Sequence, residues 1–421
     1  MFQSIHPGSG RLIDTFEVWS DDSLQSVLEE VRLAGFTWRQ TAVNTRAEYI
    51  LALRDRLLNQ SETLAPLITQ EMGKTLTEAR REISKCADLM TYYGTEGPGL
   101  LSAESIPMTG AKVAIQYEPL GTILAIMPWN FPFWQVFRAA IPILLSGNTL
   151  LLKHAPSTQA CARAIEKLCV EAGFPDRVLT WLPIDHQQTE ALLRSAHIQG
   201  LTFTGSESTG RRLGGMAAAH LKKCVLELGG SDPLIVLEDA DLNQAIEAAV
   251  SSRFQVAGQV CVATKRIILL PGIAERFIQG FLERTRALRV GDPMLPTSDM
   301  GPMARHDLRL KLQLQIDQSL ALGAELKLGG SLPEGPGFFY PPTVIDHVRP
   351  GMPAFDEETF GPLGALIRAE DESDALRLAN LSTYGLGASL WTSSTEKAHR
   401  FSKALECGMV FVNAITGSHP E

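Results

Sequence analysis

From residue 121 onward the chain repeats one unit. A short apolar, β-rich run is followed by a stretch with apolar residues at three-and-four spacing. The first block reads GTILAIM (121–127), NTLLLK (148–153), a run at 178–182, QGLTFT (199–204) and KKCVLEL (222–228). Helical patterns at 133–146, 159–173 and 187–196 separate these runs. The helix QACARAIEKLCVEAG ends at Gly173 with Pro175 beyond, a C-terminal signal. A second block starts at DPLIVLEDADLNQAIEAAV. It runs on through KRIILL, helices at 273–288 and 305–322, PPTVIDHV, ALIRA, a helix at 371–380, GASLWTS, a helix at 395–406 and GMVFVN. Strand–helix alternation with compact loops demands parallel sheets covered by helices on both faces. The expected class is α/β, in two such blocks.

The residues before this alternation differ in texture. Residues 22–95 carry helical periodicity throughout, and Glu78, Arg81, Glu82 and Lys85 read as surface ion pairs of little individual worth. Residues 99–120 alternate around a Thr-Gly turn at 109–110 and read as a hairpin, a sheet edge suited to a partner chain.

Charge and cysteine usage narrow the function. Against 47 acidic residues stand 38 lysines and arginines, a net charge of −9. Nucleic acid or an acidic membrane surface would want a basic face. No apolar run reaches the roughly 18–20 residues of a membrane span. The N-terminus MFQSIHPGSGRLIDTF lacks the build of a signal peptide, so the cytoplasm is the expected compartment. The six cysteines form no C-x-x-C pair and are expected as reduced thiols. The nine histidines show no metal-binding spacing, so no metal is expected.

Several polar residues fall where open α/β sheets bind ligands, at the C-terminal ends of strands. Asn130, in PWNFP, is either an oxyanion donor or a turn asparagine between prolines. Lys153 ends LLLK and can meet a ribose or phosphate, or solvent. FTGSESTGR (203–211) places Gly205 and Ser206 at a helix N-terminus, where free N–H groups favour a phosphate; an ordinary cap explains it too. Glu227, at the end of an apolar strand, is read as a desolvated carboxylate with a raised pKa, suited to a general base, in preference to a buried glutamate satisfied by backbone donors. Cys261, in AGQVCVATKR, is either an inert buried thiol or a nucleophile whose pKa falls near cations or free N–H groups. Lys265 and Arg266 are close in sequence, though an extended strand can point them elsewhere, and the other five cysteines read as packed interior residues. Glu358 and Phe360, in EETFGPLG, can hold a ribose and cover a flat ring, or form a plugged loop. Together these are a nucleophile, an oxyanion donor, a base and a phosphate cradle, which matches covalent catalysis with a nucleotide cofactor.

In this order PWNFP, LLLKHAPS, FTGSESTG, LELGGSDP, GQVC, EETFGP and VFVN resemble the aldehyde dehydrogenase superfamily over residues 1 to about 415. The nearer likeness is to bacterial succinate-semialdehyde dehydrogenases, through LLKHAP, KKCVLELGGSDP and MGPMAR. The resemblance implies a Rossmann-type cofactor domain at 1–98 and 121–230, an oligomerisation hairpin at 99–120 and a catalytic domain at 231–415. Residues 416–421 then begin a shortened C-terminal segment. It implies that Cys261 attacks the aldehyde, Asn130 and the Cys261 N–H hold the oxyanion, and Glu227 activates water. Lys153, Glu358, Phe360, Gly205, Ser206 and Gly210 would serve NAD or NADP, with Trp129, Pro156 and Leu228 on the same side. Arg138 and Phe131 would face the substrate.

Three departures refine this expectation. Pro156 stands where the family often has a ribose-binding glutamate, which admits NADP as well as NAD. Gln255 replaces an arginine six residues before the nucleophile and leaves Arg138 to hold a substrate carboxylate. Ala263 removes the second cysteine of a redox switch. The expected function is oxidation of a short aldehyde, succinate semialdehyde foremost, by a homodimer or homotetramer. The alternatives are a CoA-acylating semialdehyde dehydrogenase or a catalytically silent binding protein.

Overall fold

The computed structural model describes residues 1–419; residues 420–421, the end of the expected C-terminal segment, lie outside the described residues. The chain opens with a ribbon that the sequence reading missed: strands β1 (Phe2–Ile5) and β2 (Leu12–Phe16) pair antiparallel. Four helices follow: α1 (Asp21–Gln40), α2 (Val43–Asn59), α3 (Ser61–Met72) and α4 (Leu76–Thr95). A capping box starts α4, with Thr75 and Glu78 satisfying each other's backbone N–H groups. After the short helix α5 (Gly97–Leu100) come β3 (Glu104–Ile106) and β4 (Val113–Ile115), an antiparallel hairpin. Its strands are shorter than the alternation implied, and residues 107–112 form the loop.

The first block then alternates as β5 (Thr122–Met127), α6 (Trp134–Leu145), β6 (Thr149–His154), α7 (Gln159–Glu171) and β7 (Leu179–Trp181). It closes with α8 (His186–Arg194), β8 (Gly200–Thr204), α9 (Glu207–Ala219) and β9 (Lys223–Glu227). The strands form one parallel sheet in the order β7-β6-β5-β8-β9. The two-residue period of a strand sends alternate side chains to opposite faces. Leu124 and Ile126 join a core with α1, α8 and α9, whereas Ala125 and Met127 join a core with α2, α3, α4, α6 and α7.

The second block runs β10 (Asp232–Val236), α10 (Leu242–Phe254), β11 (Thr264–Leu269), α11 (Pro271–Arg286) and α12 (His306–Ala321). It continues with β12 (Glu325–Leu328), absent from the sequence reading, β13 (Thr343–Asp346), the short α13 (Pro353–Asp356) and β14 (Leu363–Arg368). It ends with α14 (Glu372–Asn380), β15 (Gly387–Trp391), α15 (Thr395–Ala404) and β16 (Met409–Val412). The sheet order is β12-β13-β14-β11-β10-β15-β16, parallel except for β12. Val256, Val260 and Ala263, on the connection from α10 to β11, pack into the core beneath the first sheet. That connection, which carries Cys261, thus bridges the two sheets. Among the described residues no helix is long and apolar enough to cross a membrane.

One expectation about the cysteines fails. Cys86, Cys161 and Cys169 are buried, but Cys224 is exposed and Cys407 half-buried. Cys224 lies on β9, an exposed strand at the edge of its sheet.

Candidate active site

The segment before Cys261 is bent against its backbone preferences. Val256 and Ala257 have φ of 51° and 50°, and Gly258 follows at 72°. Non-glycine residues in this region each cost on the order of 1–3 kcal/mol and persist only where surroundings over-determine them. Here they do. The fully buried Arg253 donates from Nη2 to the carbonyls of Gly258 (2.6 Å) and Gly361 (2.8 Å). Buried Gln259 donates to the Val256 carbonyl (3.0 Å) and accepts from the Ala304 N–H (3.0 Å). Lys265 Nζ donates to the carbonyls of Cys261 (2.7 Å) and Val260 (3.0 Å). Gly258 has to be glycine for a second reason: a Cβ there would run into the Gly361 carbonyl oxygen.

The asparagine loop is held just as firmly. Asn130 is buried, and its Nδ2 donates to the Gln259 carbonyl at 2.9 Å, which ties the oxyanion candidate to the nucleophile loop. One N–H of the amide is thereby used and the other left free. Glu82 Oε1 accepts from the N–H groups of Phe133 (2.8 Å) and Trp134 (2.9 Å), where α6 begins. Its other oxygen meets Lys74 Nζ at 2.6 Å, with both side chains fully buried. The Lys74 ammonium stands 3.6 Å from the centre of the Phe131 ring. From the end of β6, His154 Nε2 lies 3.0 Å from the Pro132 carbonyl. Burial pushes the His154 pKa down to about 4, so the ring is neutral.

These contacts correct the reading of α4 as a carrier of surface ion pairs. Glu78 Oε1 accepts from the Val256 N–H at 2.6 Å, while Glu82, one turn on, secures the asparagine loop. One helix face therefore fixes both the nucleophile and its neighbour amide. Lys85, one further turn along, lies 4.1 Å over the Trp134 ring and donates to Ser418 Oγ at 2.9 Å. Burial lowers its pKa, and Arg138 and Cys261 are close enough to act on its charge. Sequence placed Glu82 and Lys85 on one helix face but gave them no role at the site, because helical spacing says which residues share a face and not what that face meets.

Cys261 and Asn130 line a cavity of about 370 Å³ between the sheets. Trp129 and Phe360 stand in its wall edge to face, with ring centres 5.8 Å apart. Gly205, Ser206 and Leu228 line it at the start of α9, and Glu358 lines it from the second block. Glu358 accepts from the Gly230 N–H at 3.1 Å and lies 3.8 Å from Lys265 Nζ; a Cβ on Gly229 would collide with it. His186 and Lys311, not foreseen from sequence, also face this space. Gly210 is not part of this wall. Its bare Cα admits the Leu228 side chain between α9 and the loop after β9. Lys153 and Pro156 stand outside the wall too: Pro156 is exposed, and Lys153 is buried at the end of β6. The Lys153 ammonium makes no hydrogen bond or ion pair among the described residues, and burial takes its pKa down to about 8.

Two expectations about ionisation are corrected. Burial pushes the Cys261 thiol up rather than down; Lys265 and Arg138 offset only part of this, and Asp232 and Glu358 add to it. Arg266 gives no help, since it points away to the carbonyls of Ser231, Leu378 and Ala379. Glu227 is not a buried carboxylate. Its side chain is 38 % exposed, and Oε1 lies 3.5 Å from Arg138 Nη1. The pair lines a separate groove of about 320 Å³ beside Ile123, Pro142 and Val225, while Glu227 is missing from the Cys261 cavity.

Comparison with known proteins agrees along the chain. A family model described as the aldehyde dehydrogenase family matches residues 1–421. The sequence is 45% identical to the succinate semialdehyde dehydrogenase Sad of Escherichia coli K12, named for NAD(P)+, over 99% of this chain and 90% of that protein. It is 40% identical to succinate-semialdehyde dehydrogenase 1 of Mycobacterium tuberculosis H37Rv, named for NADP+, over 99% and 92%. The crystal structure of a succinic semialdehyde dehydrogenase from Streptococcus pyogenes with NADP+ superposes with a TM-score of 0.98 at 33% identity, over 100% of this chain and 93% of that one.

Proposed function

The chain belongs to the aldehyde dehydrogenase family, and on that premise we propose that it oxidises succinate semialdehyde to succinate with NAD or NADP. The observation that carries this reading is the clamp that ties Asn130 to the carbonyl of Gln259, two residues before Cys261, inside a cavity between two α/β sheets. The cofactor fits the residues present. Ser206 begins α9 without capping it through its side chain, so the first N–H groups of that helix stay available for a pyrophosphate. Lys153 is a buried, unpartnered cation beside the same sheet end, suited to a hydroxyl or phosphate. Without the glutamate that Pro156 replaces, a 2′-phosphate meets no carboxylate at that position, and the names of both relatives above include NADP. Trp129, Phe360 and Glu358 line the same cavity, where the two rings would pack on the nicotinamide and Glu358 would hold a ribose.

The Cys261 sulfur bonds to the aldehyde carbon. The free Asn130 N–H and the Cys261 backbone N–H receive the oxyanion of the thiohemiacetal, a stabilisation of the kind worth about 3–4 kcal/mol per donor in acyl transfer. When bound, the nicotinamide accepts the hydride. Burial pushes the Cys261 thiol up, and its proton passes to water as the sulfur–carbon bond forms. Glu227 takes a proton from the water that cleaves the resulting thioester, which also separates this reading from a CoA-acylating enzyme. Arg138 holds the substrate carboxylate, with the Lys85 ammonium adding to the same positive field.

The exposed hairpin β3–β4, with Ile106, Met108 and Ile115 outward, is the surface on which copies of this chain associate. A free nucleophilic thiol suits the reducing cytoplasm. The test is reduced-cofactor formation from succinate semialdehyde and from butanal, which differ in the carboxylate. The expected preference in kcat/KM is about a hundredfold, roughly 2.7 kcal/mol, and Arg138→Ala should erase it through KM. Equal values in the native enzyme would leave the dehydrogenase and remove the substrate. No turnover of either would favour a silent binding protein.

A further inference from the structure

The proposed base is not where it has to act. Glu227 pairs with Arg138 in the outer groove, and neither side chain lines the wall that holds Cys261. A general base needs hydrogen-bond reach of the water it activates, directly or through one more water. Glu227 must therefore leave Arg138 before a thioester on Cys261 can be hydrolysed.

The same guanidinium is the proposed seat of the substrate carboxylate, so two carboxylates compete for one cation. Little else holds the resting arrangement. Among the described residues Glu227 accepts no hydrogen bond on its carboxylate, and Arg138 donates none from its guanidinium. Their side chains are 38 % and 27 % exposed, and an exposed pair of this kind is weak. A substrate carboxylate that grips the guanidinium through two N–H groups is the stronger ligand. Arg138 lines the outer groove with Glu227, yet it lies near enough to Cys261 for its charge to offset part of the rise in the thiol's pKa.

We propose that Arg138 parks Glu227 in the absence of a carboxylate, and that the substrate's own carboxylate releases it for hydrolysis. This rests on the reading of Glu227 as base and Arg138 as clamp given above. Once released, Glu227 takes a proton from water as the oxygen bonds to the thioester carbon; the carbon–sulfur bond then breaks and Cys261 leaves as thiolate. No redox change occurs in this step. A neutral aldehyde reaches the thioester but leaves Glu227 parked, so specificity resides in the second half of the reaction as well as in binding.

Ethanal and acetate together supply the four carbons of succinate semialdehyde in two pieces. With saturating NADP and ethanal alone, rapid mixing should show a burst of about one reduced cofactor per site, then slow turnover. Millimolar acetate should raise the slow phase at least fivefold, saturably, with an unchanged burst. Arg138→Gln should turn over ethanal at the raised rate without acetate and ignore its addition. No burst, or a slow phase that acetate leaves unchanged or inhibits in the native enzyme, would overturn the release. If Arg138→Gln still raises KM for succinate semialdehyde in that case, the clamp stands and only the release falls. If KM is unchanged, the clamp falls too.

Discussion

The two halves of the candidate site are built in opposite ways. Around Cys261 and Asn130, buried side chains converge on two loops: Arg253, Gln259 and Lys265 on the strained loop before Cys261, Glu82, Lys74 and His154 on the asparagine loop. Around Arg138 and Glu227 there is one ion pair at 3.5 Å, half open to solvent. On the proposed function the first half would handle a carbonyl carbon, which is the same in every aldehyde and is served by fixed geometry. The second half would meet the remainder of the substrate and exchange partners, for which a weak pair is suited.

The largest break in this contrast comes from Cys261→Ala. It should lower turnover of charged and neutral aldehydes alike by about four orders of magnitude or more, while cofactor binding, followed by fluorescence, survives. Retained turnover would remove Cys261 as nucleophile. Next is Glu82→Gln, which touches no substrate. It strands the buried Lys74 ammonium and should cost about 3–5 kcal/mol of stability in urea unfolding. Its effect on activity should be equal for succinate semialdehyde and butanal, unlike that of Arg138→Ala. A loss below about 1 kcal/mol would mean that the pair behaves like a surface one. The smallest effect belongs to pH. The Lys153 ammonium, with its pKa near 8, is charged below that pH and neutral above it. Affinity for NADP should therefore fall a few-fold as pH rises through 8, and Lys153→Met should flatten the profile. A profile that is flat in the native protein would separate Lys153 from the cofactor.

Much of this molecule was legible beforehand. The alternation from residue 121 onward marked the strands of the first sheet, and most of those of the second, because buried parallel strands need unbroken apolar runs. The ribbon β1–β2 and strand β12 escaped, since both are short, partly exposed and mixed in composition. Cys261 and Asn130 could be picked out because each sits beside local punctuation, a glycine or a proline pair, at the end of an apolar run. Glu82 could not. Its partners Lys74, Phe133 and Trp134 are eight and about fifty residues away, and only packing brings α4 against the start of α6.

The sequence by itself determined the α/β alternation and singled out Cys261 and Asn130 as candidates, since periodicity and turn chemistry act over a few residues. The tertiary structure alone decided three things: that α4 secures both reactive loops, that burial raises the Cys261 thiol, and that Glu227 rests on Arg138 away from the cavity. Each depends on solvent exclusion or on a contact between distant parts of the chain, and neither is written in local order.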